Sequence, residues 1–161
     1  MSLLQPHMLL NHVPILGVIF GVVLLVAALV RRSDELKRAS LVVFVVVAAL
    51  TVPVYLTGEP AEEAVEGLAG VSETAIEVHE EAALAALVGI EVLGVMALAG
   101  LLSWRRAPAL AGRLTVGALV LGLVAGGLMT ITGSSGGKVR HSELRGGVAD
   151  TVAEGEDDPE R

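Results

Sequence analysis

Apolar residues are gathered into four long blocks along the chain, at approximately 13–30, 40–57, 82–103 and 114–133, and the stretches between them are polar or charged. Each block is long and apolar enough to cross a hydrocarbon core of roughly 30 Å, which takes about 20 residues of helix. The first has no basic segment before it and is followed by Arg31-Arg32 rather than by small residues suited to cleavage, so it reads as a retained span and not a signal peptide. Short links between spans force antiparallel neighbours. The predicted fold is therefore all-α, an integral membrane four-helix bundle of up-down-up-down topology. Gly17 and Gly21 in the first span, and Gly122 and Gly126 in the fourth, have the spacing that lets membrane helices approach closely.

The polar stretches differ in sign. Arg31, Arg32, Lys37 and Arg38 join spans one and two, and Arg105, Arg106 and Arg113 join spans three and four. The connector at 58–81 holds eight glutamates and no Lys or Arg. By the positive-inside rule the basic links are cytoplasmic, and both termini face outward despite Lys138, Arg140 and Arg145 after the fourth span. The expected location is a bacterial inner membrane, crossed several times. Within the connector, Pro60 suits the first turn of a short helix carrying Glu62, Glu63 and Glu66 and ended by Gly67 and Gly70. Ser72 reads as the N-cap of a helix that runs through His79 into the third span. Residues 1–145 form the transmembrane domain, and the acidic tail at 146–161 is expected to be mobile.

Composition narrows the chemistry. A chain of 161 residues has room for one domain, and 53% hydrophobic residues with a mean hydropathy of +0.73 leave apolar area that only lipid can cover. A net charge of −7 and a pI near 5.0 exclude a general nucleic-acid binder. With no cysteine, disulfides, thiolate metal sites, iron–sulfur clusters and c-type haem attachment are excluded. No phosphate-binding glycine motif and no nucleophile elbow is present, Gly136-Gly137 and Ser134, Ser135 and Ser142 lacking the required spacing, so no catalytic residue is assigned.

All four histidines fall toward the outer ends of the spans: His7 and His12 before the first, His79 before the third, His141 after the fourth. Helices one and three run in the same direction, which brings His12 and His79 to similar depth across a bundle diagonal of roughly 11 to 14 Å, suited to two imidazoles flanking a haem iron. Pro14 leaves the carbonyl of Leu10 without its helical partner, and a kink there would aim His12 inward. Arg140 or Lys138 would pair a propionate. The alternative is a non-haem site for a divalent or copper ion, built from His7, His12, His79 and His141 with Glu59, Glu62, Glu80 or Glu143. Within the lipid, Glu91 is the one acidic residue. It shares a helical face with Glu80, about 20° away, and not with His79; its reading is a proton-handling group or, preferably, a protonated carboxyl bonded to Thr51 or Thr130.

Three segments carry a resemblance. The run His7-Met8-Leu9-Leu10-Asn11-His12-Val13-Pro14-Ile15 resembles the H-x-x-x-N-H-x-P-I opening of a domain-of-unknown-function family of bacterial four-helix membrane proteins. Thr57-Gly58-Glu59-Pro60, followed by His79-Glu80-Glu81, is similar to its second-loop pattern, and Gly136-Gly137-Lys138-Val139-Arg140-His141-Ser142-Glu143 to its closing G-G-x-x-R-H-x-E segment. The resemblance implies the same fold and, through relatives that occur beside respiratory or cytochrome-containing partners, a redox role. Three functions follow as expectations: a b-type haem electron-transfer protein or subunit of a respiratory complex, with His12 and His79 as axial ligands; a non-haem metal-binding membrane protein; and a cofactor-free accessory subunit. A homo-oligomer is compatible with each.

Overall fold

The computed structural model describes residue 7, residues 9–63, residue 65 and residues 71–140. Glu66, Gly67, Gly70, His141, Glu143, the side chain of Arg140 and the tail at 146–161, on which some of the expectations above fall, lie outside the described residues. The described chain is helical: α1 His12–Val30, α2 Asp34–Leu56, α3 Gly58–Glu63, α4 Glu73–Ser103 and α5 Pro108–Arg140. The four long helices are each long and apolar enough to cross a membrane. They close a ring in which α1 packs on α2, α2 on α4, α4 on α5 and α5 on α1, while the diagonal pairs hardly touch. The predicted all-α four-helix bundle is the architecture found.

Local chemistry sets the helix ends. α1 closes at Arg31, and Arg32 takes a left-handed conformation with φ 52° so that the amide of Ser33 reaches the carbonyl of Ala28 at 3.0 Å. That is the Schellman closure, usually built on glycine. Ser33 then caps α2, its hydroxyl accepting from the amide of Leu36 at 3.3 Å. Ser72 caps α4 as expected, accepting from Ala75 at 3.3 Å. The connector helix runs Gly58–Glu63, with Pro60 in its first turn.

The core is built for close approach. Val18, Leu25, Leu41, Phe44, Ile90 and Leu93 are fully buried among alanines of α4 and α5. Phe44 of α2 lies across the middle of the bundle, and its ring fills the space that a side chain at Gly21 or Gly122 would need. Gly17 gives way in the same manner to Val47, and Gly94 to Ala48. Gly126, by contrast, has only Val18 nearby, at 3.9 Å from where a Cβ would stand. Two hydroxyls bond across helix contacts: that of Ser40 donates to the carbonyl of Gly21 at 2.8 Å, and that of Thr132 to Ala82 at 3.0 Å. Such bonds hold helices together in lipid, where the apolar effect between helices is weak. Outside, Leu16, Phe20, Val23, Val46, Val95 and Leu123 stand exposed. In water that belt would be an aggregation surface; against acyl chains it is solvated.

α4 and α5 outrun the lipid. Their 31 and 33 residues span about 46 and 50 Å at 1.5 Å per residue, against a core of roughly 30 Å. Each is therefore longer than such a core can cover, and the turns of α4 before Ala82 and of α5 beyond Gly133 pack on one another. The segment Ser134-Ser135-Gly136-Gly137 is helix. Its helix persists because the projecting part of α4 supplies a packing partner: the amide of Ser72 meets the carbonyl of Val139 at 3.3 Å, and the ring of His79 lies on Gly136.

Candidate functional site: the outer mouth of the bundle

The buried face of α1 runs through Pro14, Val18, Gly21, Leu25 and Ala28. At 100° per residue His12 stands about 160° from Pro14, and it is exposed. Pro14 is buried and the chain turns at Asn11, but the interruption does not aim His12 inward. The expected facing pair of His12 and His79 is therefore not formed. His7 takes the inward place instead. It precedes Pro14 by seven residues, about 20° of rotation, and is held in a preceding helical turn by a bond from the amide of Asn11 to its carbonyl at 2.9 Å.

His7 and His79 are held in the same way by different helices. The Nδ1 of His7 is 3.2 Å from the carbonyl of Val54 and 3.2 Å from the hydroxyl of Thr57, and that hydroxyl itself donates to Val54 O at 2.8 Å. The Nδ1 of His79 is 3.1 Å from the carbonyl of Thr132 and 3.2 Å from the hydroxyl of Ser135, which donates to Thr132 O at 2.9 Å. A carbonyl only accepts, and in each set the hydroxyl proton is already directed at that carbonyl. Nδ1 must then be the donor, so the neutral ring carries its lone pair on Nε2. Neither Nε2 has a hydrogen-bond partner among the described residues.

The likeness extends to the next residue. In Val54…Thr57-Gly58 and Thr132…Ser135-Gly136 a carbonyl, a hydroxyl three residues on and a glycine one further form one cradle, used twice. The His7 ring sits 3.6 Å from where a Cβ of Gly58 would be, and the His79 ring 3.0 Å from that of Gly136. Both rings are half-buried. Burial lowers the pKa of His79 from its ordinary 6.5; the Thr132 carbonyl opposes this, the charge of His7 adds to it, and the charge of Glu80 opposes it. A charge on His7 thus disfavours one on His79. One turn on from His7, about 40° round the helix, the buried Oδ1 of Asn11 has no hydrogen-bond partner among the described residues.

The carboxylates form a separate place. Glu59, Glu62, Glu63, Glu73, Glu77 and Glu80 line a cavity of about 320 Å³ between α3 and the outer part of α4. Burial first, then a shared proton with Glu80, then the charges of Glu80 and Glu59 push the carboxyl of Glu62 up to about 7. Glu59 and Glu80 are exposed, and among the described residues no three His, Asp or Glu side chains converge as a metal cage. Of the compact site expected from His7, His12 and His141 with Glu59 or Glu80, His141 lies outside the described residues, His12 is exposed, and Glu59 and Glu80 line the carboxylate cavity. Lys138 is exposed.

Glu91 is half-buried, and among the described residues its buried Oε1 has no hydrogen-bond partner. The expected bond from Thr51 or Thr130 is absent: Thr51 donates to Val47 O at 2.8 Å and Thr130 to Gly126 O at 2.9 Å, each within its own helix. Sequence reasoning passed over Thr57-Gly58 and Ser135-Gly136 as ligand supports. Their signal was a hydroxyl-glycine pair at the outer end of two spans. No family model, no curated protein and no solved structure matches the chain.

Proposed function

We propose that this chain is a multi-pass membrane protein that holds a transition metal ion at the outer mouth of its bundle, with the Nε2 atoms of His7 and His79 as donors. The observation that supports it is the duplicated cradle, which gives each imidazole one tautomer and one orientation. Metal-ligating histidines are typically fixed in this way, the far ring nitrogen donating to a carbonyl so that the near one is a better ligand. Imidazole donors suit copper, zinc, iron and nickel. The orphaned oxygen of Asn11 is a further donor on the same face as His7. The charge asymmetry of the links supports an orientation in which this mouth, with both termini, faces outside a bacterial inner membrane.

A second reading rests on the number of donors. Two imidazoles with no converging third His or carboxylate among the described residues suit the two axial positions of a haem iron, as the resemblance to the four-helix family also suggests. One detergent-purified sample distinguishes the readings. Elemental analysis showing about one bound metal per chain without a Soret band supports a bare ion, and a Soret band supports haem. In either case the signal is expected to fall with His7→Ala and with His79→Ala, and to survive His12→Ala. Loss with His12→Ala, or retention in both of the other variants, would overturn the assignment. Absence of metal and haem alike leaves the accessory-subunit role.

A further inference from the structure

The opposite end of the bundle holds a second, differently built place. A cavity of about 170 Å³ opens between the start of α2, the end of α4 and the first turns of α5. Leu29 and the ring of Trp104 make its apolar wall, Lys37 and Asp34 its polar rim, and Pro108 and Gly112 its α5 side. Seven basic residues, Arg31 to Arg113 in sequence order, crowd this end against only Asp34 and Glu35.

From these observations we infer that the cavity is a binding site for the phosphate headgroup of an anionic phospholipid in the leaflet at the basic end. Lys37 donates to Asp34 at 2.8 Å, which employs one of the three N–H bonds of its ammonium and leaves two for a phosphate. Arg38 stacks over Trp104 at 5.8 Å from the ring centre, which keeps the indole broadside as a wall. Gly112 has nothing within 4 Å of where a Cβ would stand, so the space beside it is open and not filled by the protein's own core. The occupant is a lipid and not a free anion because this end of the bundle also exposes apolar side chains, Val30, Leu102 and Leu110 at 79%, 71% and 47%, which would carry the acyl chains. Basic pockets between membrane helices bind anionic headgroups on this principle.

Trp104 is the sole tryptophan of the chain and lines the cavity, so its fluorescence reports occupancy. The full chain would be placed in phosphatidylcholine nanodiscs containing increasing fractions of phosphatidylglycerol brominated high on the acyl chain, with brominated phosphatidylcholine as the reference. Saturable quenching by phosphatidylglycerol at about a tenth of the fraction needed for phosphatidylcholine is the expected result. Lys37→Gln should weaken that preference about 5-fold, the effect of one basic side chain near a charged leaflet. Gly112→Leu fills the cavity without altering any charge and should abolish the preference, with circular dichroism confirming the helices. Equal quenching by both lipids, or a preference untouched by Gly112→Leu, would overturn the pocket in favour of diffuse surface charge. Suppression of the preference by millimolar inorganic phosphate at constant ionic strength would overturn the lipid as occupant.

Discussion

Gly136→Ala separates the metal proposal from helix stability. A methyl at this position would stand 3.0 Å from Cε1 and 3.3 Å from Nδ1 of His79. Carbon contacts are ordinarily about 3.5–4.0 Å, so the imidazole must retreat by about half an ångström. The ring is held by bonds of 3.1 and 3.2 Å to Thr132 and Ser135, and a retreat of that size takes them to the edge of useful hydrogen-bond length. Disturbing a group that orients a metal ligand typically costs about 10- to 100-fold in affinity. At the same time, replacing glycine by alanine inside a helix stabilises it by about 1 kcal/mol. The variant is thus expected to unfold at higher temperature than the parent yet to bind metal about 10-fold more weakly, as read by isothermal titration on apo protein in detergent and by thermal unfolding of the same sample. Gly127→Ala supplies the control, since nothing lies within 4 Å of its Cβ position; it should gain stability and keep full affinity. Equal affinities for the two variants would refute the claim that His79, seated on Gly136, is a ligand.

Three further outcomes are expected. Glu91→Leu removes a buried oxygen that has no partner and should stabilise the bundle by about 1–3 kcal/mol in denaturation by sodium dodecyl sulfate, while a loss of stability would mean the carboxyl is bonded after all. Arg32→Gly relieves the left-handed backbone at φ 52° and should add about 1 kcal/mol by the same assay. Glu62, raised to about 7 from an ordinary 4.5, binds its proton more tightly in the folded chain, so its stabilising contribution is full below pH 4.5 and is lost as pH rises through 7. Glu62→Gln, which cannot ionise, should flatten that decline in melting temperature between pH 5 and 8, by no more than about 1 kcal/mol given solvent screening of a half-exposed group; an unchanged pH profile would show that Glu62 and Glu80 do not share a proton.

Sequence alone determined the four long helices, their membrane-crossing capacity and the cap at Ser72, because burial in lipid and capping bonds are set by residues close together in the chain. The helical phase that turns His7 inward and His12 outward was also legible, since seven residues bring His7 back to the face of Pro14 and two do not bring His12 there; the nearness of His12 to the span in sequence masked it. What only the tertiary structure decided are the contacts between helices. Val54 and Thr57 are 47 and 50 residues from the histidine they hold, and Thr132 and Ser135 are 53 and 56 from theirs. No local pattern reports which carbonyl a ring nitrogen will meet. The extension of α5 through Gly136 has the same cause: a glycine-rich segment is a poor helix by itself, and it is helical here because the outer turns of α4 lie against it and the His79 ring occupies the space its missing side chain leaves.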